Sequence, residues 1–187
     1  AAFFLCAGAL SETGIFASGL QETSRQADRA VLELLSRFGA EVRAETGGVF
    51  VRKSSLHGID IDAGAIPDLI PAVAAVAAYA EGETNITNAA RLRLKESDRL
   101  HTVAETINAL GGQAKELPDG LVITGTPRLT GGTADSFGDH RIAMALAVAA
   151  LTASTPSVIK DAECAAVTYP GFVEDFCRMG ADFELVK

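Results

Sequence analysis

Lys95, Glu96, Ser97, Asp98 and Arg99 form a run in which two cations flank two carboxylates, with Arg91 and Arg93 standing just before it. Four basic residues around a Glu-x-Asp pair, between an apolar strand-like run and a helix-like run, make a charge cluster suited to an anionic ligand. If the run opens a helix, Lys95 and Arg99 are four apart and share a face, while Glu96 is turned by about 100° and reaches the rim of the same pocket. Cations in a first turn oppose the helix dipole at a cost of roughly a few tenths of a kcal/mol each, which a bound anion can offset. The alternative is a solvated helix start in which Lys95 and Arg99 pair with Glu96 and Asp98.

Two further helix starts carry unusual residues. Asp139-His140-Arg141 follows Gly138 and precedes an apolar run, so Asp139 is a natural N-cap. The planar fork of Arg141 suits a phosphate or carboxylate, or else pairs with Asp139 or Asp135. His140 reads either as a hydrogen-bonded structural residue or as a supporting group at the ligand. In Ile66-Pro67-Asp68, Pro67 fits the first helical position, and Asp68 in the first turn either serves the helix dipole or faces the ligand. Asp28, in Gln26-Ala27-Asp28-Arg29, has the same two readings. There is no Ser-His-Asp nucleophile set, metal-ligand cluster or dinucleotide glycine fingerprint, so neither a metal nor a cofactor is expected.

The elements that must position these residues recur. Segments ending Phe38-Gly39-Ala40, Leu110-Gly111-Gly112 and Met179-Gly180-Ala181 read as helices closing on glycine, which supplies the left-handed conformation after a last turn. Each leads into a strand-like stretch: Glu41-Val42-Arg43, Gln113-Ala114-Lys115 and Asp182-Phe183-Glu184. The first two continue through turns at Thr46-Gly47-Gly48 and Pro118-Asp119-Gly120 into Val49-Phe50-Val51 and Leu121-Val122-Ile123. A second, Ala- and Val-rich helix is expected over Ala1–Leu10, Pro67–Ala80 and His140–Thr152, each followed by a short strand. At an offset of about seventy residues the chain reads as two and a half copies of one strand-helix-strand-helix-strand-strand unit. Helices this rich in alanine lack a charged face and are expected to be buried inside a ring of sheets.

With 187 residues, 48% hydrophobic and 21% charged, the chain fits one globular domain or at most two small ones. A net charge of -8 argues against a nucleic-acid or membrane partner. Cys6, Cys164 and Cys177 follow no zinc or disulfide spacing, which favours free thiols in a reducing setting. The apolar run Ile70–Ala80 is far shorter than the roughly 20 residues of a membrane span, and a cytoplasmic location is expected. The chain begins without Met in what reads as mid-helix, so a longer polypeptide with more sequence upstream is expected.

Taken in order, the runs Gln26–Arg29, Ile66–Asp68, Leu92–Leu100, Gly138–Ala145 and Tyr169–Phe172 resemble the C-terminal half of the 5-enolpyruvylshikimate-3-phosphate synthase family, the 3-phosphoshikimate 1-carboxyvinyltransferases. The resemblance covers essentially the whole chain. It implies an α/β (α+β) inside-out barrel domain of βαβαββ repeats, here residues 1–187 as one domain with the first repeat truncated. The whole enzyme would be a monomer of two such domains binding substrates between them. It implies transfer of the enolpyruvyl group of phosphoenolpyruvate to shikimate 3-phosphate with release of phosphate, on the way to chorismate and the aromatic amino acids.

By the same resemblance Asp68 is the catalytic aspartate at the shikimate hydroxyl, Glu96 moves the proton at C3 of phosphoenolpyruvate, Lys95 holds the shikimate phosphate, and Arg99 and Arg141 clamp phosphoenolpyruvate. Asp28 and His140 are supporting candidates. Carboxylates among anionic substrates are expected to have raised pKa values suited to proton transfer. Two positions depart from the family pattern: Val167 stands where many members have a cleft lysine, and Arg91 where some have an asparagine. Alternatives are a sister transferase acting on a UDP-sugar, whose motifs differ from Lys-Glu-Ser-Asp-Arg, and a non-catalytic anion-binding module, against which the two carboxylates speak.

Overall fold

The computed structural model describes residues 1–20 and 30–186. In chain order the elements are α1 (Ala2–Leu10), β1 (Ile15–Ser18), α2 (Ala30–Arg37), β2 (Glu41–Glu45), β3 (Gly48–Arg52), β4 (Asp60–Asp62), α3 (Ile70–Ala77), β5 (Glu83–Thr87), α4 (Arg99–Ala109), β6 (Gln113–Leu117), β7 (Gly120–Thr124), β8 (Thr133–Asp135), α5 (His140–Ala150), β9 (Val158–Lys160) and α6 (Phe172–Arg178). Short 3₁₀ turns at Pro67–Leu69, Ala90–Leu94 and Ala162–Val167 lead into or link these elements.

Helices without a polar stripe go to the middle because no face of theirs gains from water. Every residue of α3 is buried, as are Ile142 through Ala149 of α5 and all of α1 except Phe4. These three helices pack on one another. The alanines keep them close and leave the larger Leu, Ile and Val side chains to fill the space toward the sheets. In contrast, α2 turns only Val31, Leu34 and Leu35 inward, as its amphipathic sequence requires.

Among the described residues three sheets pack around this centre, in the orders β1-β3-β2, β4-β5-β7-β6 and β8-β9. The pairs β4/β5 and β8/β9 are parallel, and the hairpins β2/β3 and β6/β7 are antiparallel. The middle unit therefore runs β4-α3-β5-α4-β6-β7. The first contributes α1-β1-α2-β2-β3 and the third β8-α5-β9-α6, matching the repeat read from the sequence. The helix-closing glycines have the left-handed backbone expected, with φ of 92° at Gly39, 82° at Gly111 and 97° at Gly180. One expectation fails: Asp182-Phe183-Glu184 is not a strand. Whereas β2 and β6 each gain a ladder from a returning hairpin strand, Phe183 is instead drawn into an aromatic cluster, 5.7 Å from the ring of Phe176.

The two complete hairpins share a glycine at the first residue of the returning strand. A Cβ on Gly48 would lie 2.2 Å from the Ala17 carbonyl oxygen, and one on Gly120 2.1 Å from that of Ile86, so neighbouring backbones approach closely at equivalent points of two units. Gly120→Ala should therefore force β5 and β7 apart and lower the unfolding free energy by about 1–3 kcal/mol. Chemical denaturation checks this, and an unchanged midpoint would mean that the strand edge gives way freely.

Candidate active site

The first turns at three helix starts converge. Pro67 opens the 3₁₀ turn before α3 and places Asp68 in its first turn. Asp139 caps α5, its side chain accepting from the Arg141 N–H at 2.9 Å. At the third start the structure corrects the sequence reading. The helix begins at Arg99, with Asp98 as N-cap accepting from the His101 N–H at 3.3 Å, and Lys95–Ser97 form a bend ahead of it. The short Asp98 side chain competes for the first backbone donors, so the helix cannot start earlier. Lys95 and Arg99 consequently share no helix face, yet both reach Asp68.

Arg99 is the hub. Its side chain is 1% exposed and faces three carboxylates. Nε donates to Asp139 Oδ2 at 2.8 Å and Nη2 to Asp139 Oδ1 at 3.2 Å, a bidentate pair, while Nη1 donates to Asp68 Oδ1 at 2.9 Å and Nη2 to Glu96 Oε2 at 2.6 Å. Among the described residues this leaves one of the five N–H groups of the guanidinium, on Nη1, without an acceptor. Asp139 is itself fully buried and also accepts from Ser97 Oγ at 2.9 Å. Burial pushes the Asp139 carboxyl up, but the Arg99 hydrogen bonds and charge outweigh it and hold the group below its ordinary 3.8. Burial likewise pulls Arg99 down, and Asp139, Glu96 and Asp68 more than restore it.

Above this buried floor the site opens to solvent. Lys95 Nζ lies 2.9 Å from Asp68 Oδ1, the oxygen that also accepts from Arg99, and Arg141 Nη1 donates to the Asp68 main-chain oxygen at 3.0 Å. Among the described residues the second Asp68 oxygen, Oδ2, accepts no hydrogen bond. Partial burial raises the Asp68 carboxyl, but the Lys95 hydrogen bond and the charges of Arg141, Lys95 and Arg99 bring it below its ordinary 3.8. This is the site without a ligand, in which the groups that face Asp68 are cations; the raised value expected from the sequence is for the site filled with anionic substrates. Asp68 and Glu96 side chains are 45% and 53% exposed, accessible to a ligand that Arg141 and Lys95 could hold by charge.

Not every expected cation takes part. Arg93 is turned away onto Asp98 and Glu116, because the loop carries it toward the β6–β7 hairpin, and Arg91 is exposed. Neither belongs to an anion cluster with Lys95 and Arg99. Half-buried His140 makes no side-chain hydrogen bond among the described residues. Val167 is 80% exposed at the end of its 3₁₀ turn. Asp28 lies outside the described residues. The sequence reading missed that Asp139 is the buried counter-charge of Arg99 and that Ser97 supports it. The signal was available, since an arginine followed by Leu100 and Val103 on an inward helix face needs a carboxylate partner.

The sequence family described as EPSP synthase (3-phosphoshikimate 1-carboxyvinyltransferase) matches residues 1–176. The chain belongs to that family. As an EPSP synthase family member it is 43% identical over 183 residues to the 3-phosphoshikimate 1-carboxyvinyltransferase of Clostridium kluyveri, which covers 98% of this chain and 43% of that protein. The protein of the same name from Methanocella arvoryzae is 49% identical over 164 residues, 87% of this chain and 39% of the relative. In solved structures, EPSP synthase from Acinetobacter baumannii superposes with a TM-score of 0.84 at 31% identity, over 100% of this chain and 46% of that one. The enolpyruvyl transferase NikO from Streptomyces tendae gives 0.78 at 25% identity, over 97% and 42%. The chain spans less than half the length of these relatives, and its α/β fold of helices enclosed by sheets is theirs.

Proposed function

We propose that this chain is one domain, the C-terminal type, of a two-domain enzyme that transfers the carboxyvinyl group of phosphoenolpyruvate to shikimate 3-phosphate and releases phosphate. The observation that carries this reading is that two solvent-accessible carboxylates, Asp68 and Glu96, hang on one buried arginine between two further cations, Lys95 and Arg141. The free Asp68 Oδ2 accepts the proton of the acceptor hydroxyl as that oxygen adds to C2 of phosphoenolpyruvate. Glu96 delivers the proton to C3 and takes it back as phosphate leaves the tetrahedral adduct. Lys95 holds the phosphate of the acceptor. Arg141 is the principal cation of this wall for phosphoenolpyruvate, since Arg99 has one N–H left to offer.

When anions bind Lys95 and Arg141 they weaken the contacts that hold Asp68 low and add negative charge beside it, so its pKa rises in the loaded site and it becomes a stronger base. The opposite wall comes from the other domain, as the shared coverage with longer relatives supports. No helix among the described residues is long and apolar enough to cross a membrane, and a cytoplasmic monomer is the proposed setting.

The test is phosphate release by this chain joined to an N-terminal half from a relative, with each substrate supplied alone and together. Release should require both substrates and both halves, because orienting two anions needs both walls. Release with a UDP-sugar acceptor in place of shikimate 3-phosphate would overturn the acceptor assignment, and turnover by the isolated chain at an enzymatic rate would overturn the two-wall reading.

A further inference from the structure

Arg93, one of the two basic residues of the run that the site leaves unused, has the most elaborate set of partners outside the Arg99 hub among the described residues. Its Nη1 donates to Asp98 Oδ2 at 2.8 Å and to Glu116 Oε1 at 2.7 Å, its Nη2 to the Leu117 carbonyl oxygen at 2.8 Å, and its Nε to that of Pro118 at 3.1 Å. Asp98 is the N-cap of α4; the other three acceptors lie at the end of β6 and in the turn to β7. Lys95, Glu96 and Ser97 lie between Arg93 and Asp98, so the Arg93–Asp98 pair closes the bend on itself and the remaining contacts tie it to the hairpin.

The bend needs such a tie. Among the described residues, neither Glu96 nor Ser97 makes a backbone–backbone hydrogen bond. What holds them is side chains: Ser97 on Asp139, Glu96 on Arg99, and Arg93 on the opposite side. We propose that Arg93 is a positioning residue, whose four-way bridge between the α4 N-cap and the β6–β7 hairpin fixes the bend that presents Lys95 and Glu96 to the ligand. The consequence for catalysis rests on the function proposed above; the consequence for the bend does not.

Magnitudes separate this role from a general stabilising one. The Arg93, Asp98 and Glu116 side chains are 28%, 40% and 31% exposed, and ion pairs so placed add little to global stability. A displacement of about 1 Å in a positioned group, by contrast, costs on the order of 10²-fold in rate. A lysine cannot replace the fork, because an ammonium carries three donors on one atom and cannot reach the four acceptors that three guanidinium nitrogens reach here.

Arg93→Ala and Arg93→Lys test the proposal in two measurements. In the chain itself, backbone order parameters at Glu96 and Ser97 should fall from the rigid value of about 0.85 to below about 0.6 in both variants, with the rest of the fold unchanged. Added methylguanidinium, well below denaturing concentration, should restore them in Arg93→Ala. In the joined two-domain protein, kcat/KM should drop about 10²-fold with the unfolding midpoint nearly constant, and methylguanidinium should recover part of the loss. Unchanged order parameters would overturn the proposal, as would a rate loss that tracks unfolding and ignores the added guanidinium. If the unsubstituted joined protein fails to turn over, the functional reading falls instead, and the order parameters still decide the role of Arg93.

Discussion

Replacing Arg99 by methionine should lower the unfolding free energy by about 3–5 kcal/mol, the range for breaking a buried ion pair and stranding its partner. Asp139 is fully buried, and Arg99 supplies two of its hydrogen bonds. Without the guanidinium, Asp139 must either stay charged and buried, with only the Arg141 N–H and the Ser97 hydroxyl to hold it, or take up a proton. The loss should therefore depend on pH in one direction. In the native chain the folded pKa of Asp139 lies below the ordinary 3.8, so the pair's contribution is full above that value and is lost as pH falls through the folded pKa. The difference between native and Arg99→Met should be widest near neutrality and should close in acid, in urea unfolding followed across pH. A pH-independent difference would mean that lost packing, and not the stranded carboxylate, is responsible. Arg99→Met combined with Asp139→Leu should regain part of the stability, since an apolar pair avoids the desolvation of two charges but gives up the α5 cap and the Ser97 hydrogen bond.

Asp68→Asn and Glu96→Gln, in the joined two-domain protein, should each lower kcat by roughly 10²–10⁴-fold while leaving the fold intact. Both side chains are about half exposed, and Arg99 keeps its bidentate Asp139 when either is neutralised, so no buried charge is stranded. A second signature distinguishes Asp68 as base. The acid limb of kcat/KM reports the free site, where Lys95, Arg141 and Arg99 hold Asp68 below 3.8. The acid limb of kcat reports the loaded site, where substrate anions engage those cations, and should lie at higher pH. Near-native turnover in Asp68→Asn, or coincident limbs, would remove Asp68 from the role of base.

Much of this was legible from residue types alone. Alanine-rich runs without a charged face announced the buried centre, the glycines at 39, 111 and 180 marked helix ends, and Asp139 declared itself an N-cap. What was not legible depended on partners distant in sequence. Arg93 looked like a fourth ligand cation, because nothing in its neighbourhood reveals that two of its acceptors are main-chain oxygens of Leu117 and Pro118, at the far end of a hairpin. Lys95 and Glu96 looked helical because spacing cannot tell a first turn from a bend that ends at a cap. The lowered pKa of Asp68 in the free site was not legible either, since it depends on Lys95, Arg99 and Arg141 converging on that one carboxylate.

The Arg99–Asp139 pair joins α4 of the middle unit to the start of α5 in the third. Three small-residue helices meet in this core, each from an equivalent place in a repeated unit, and by volume and apolarity alone they could exchange partners at little cost. Internal repetition thus invites permuted assemblies, the characteristic misfolding of repeat proteins. A buried charge pair opposes those that displace α5, because they separate Arg99 from Asp139 and strand the aspartate. The Arg99→Met, Asp139→Leu protein bears on this directly: recovered stability with one set of amide resonances would show that side-chain shape suffices to choose the arrangement, whereas several sets would mark the ion pair as what makes the native arrangement singular.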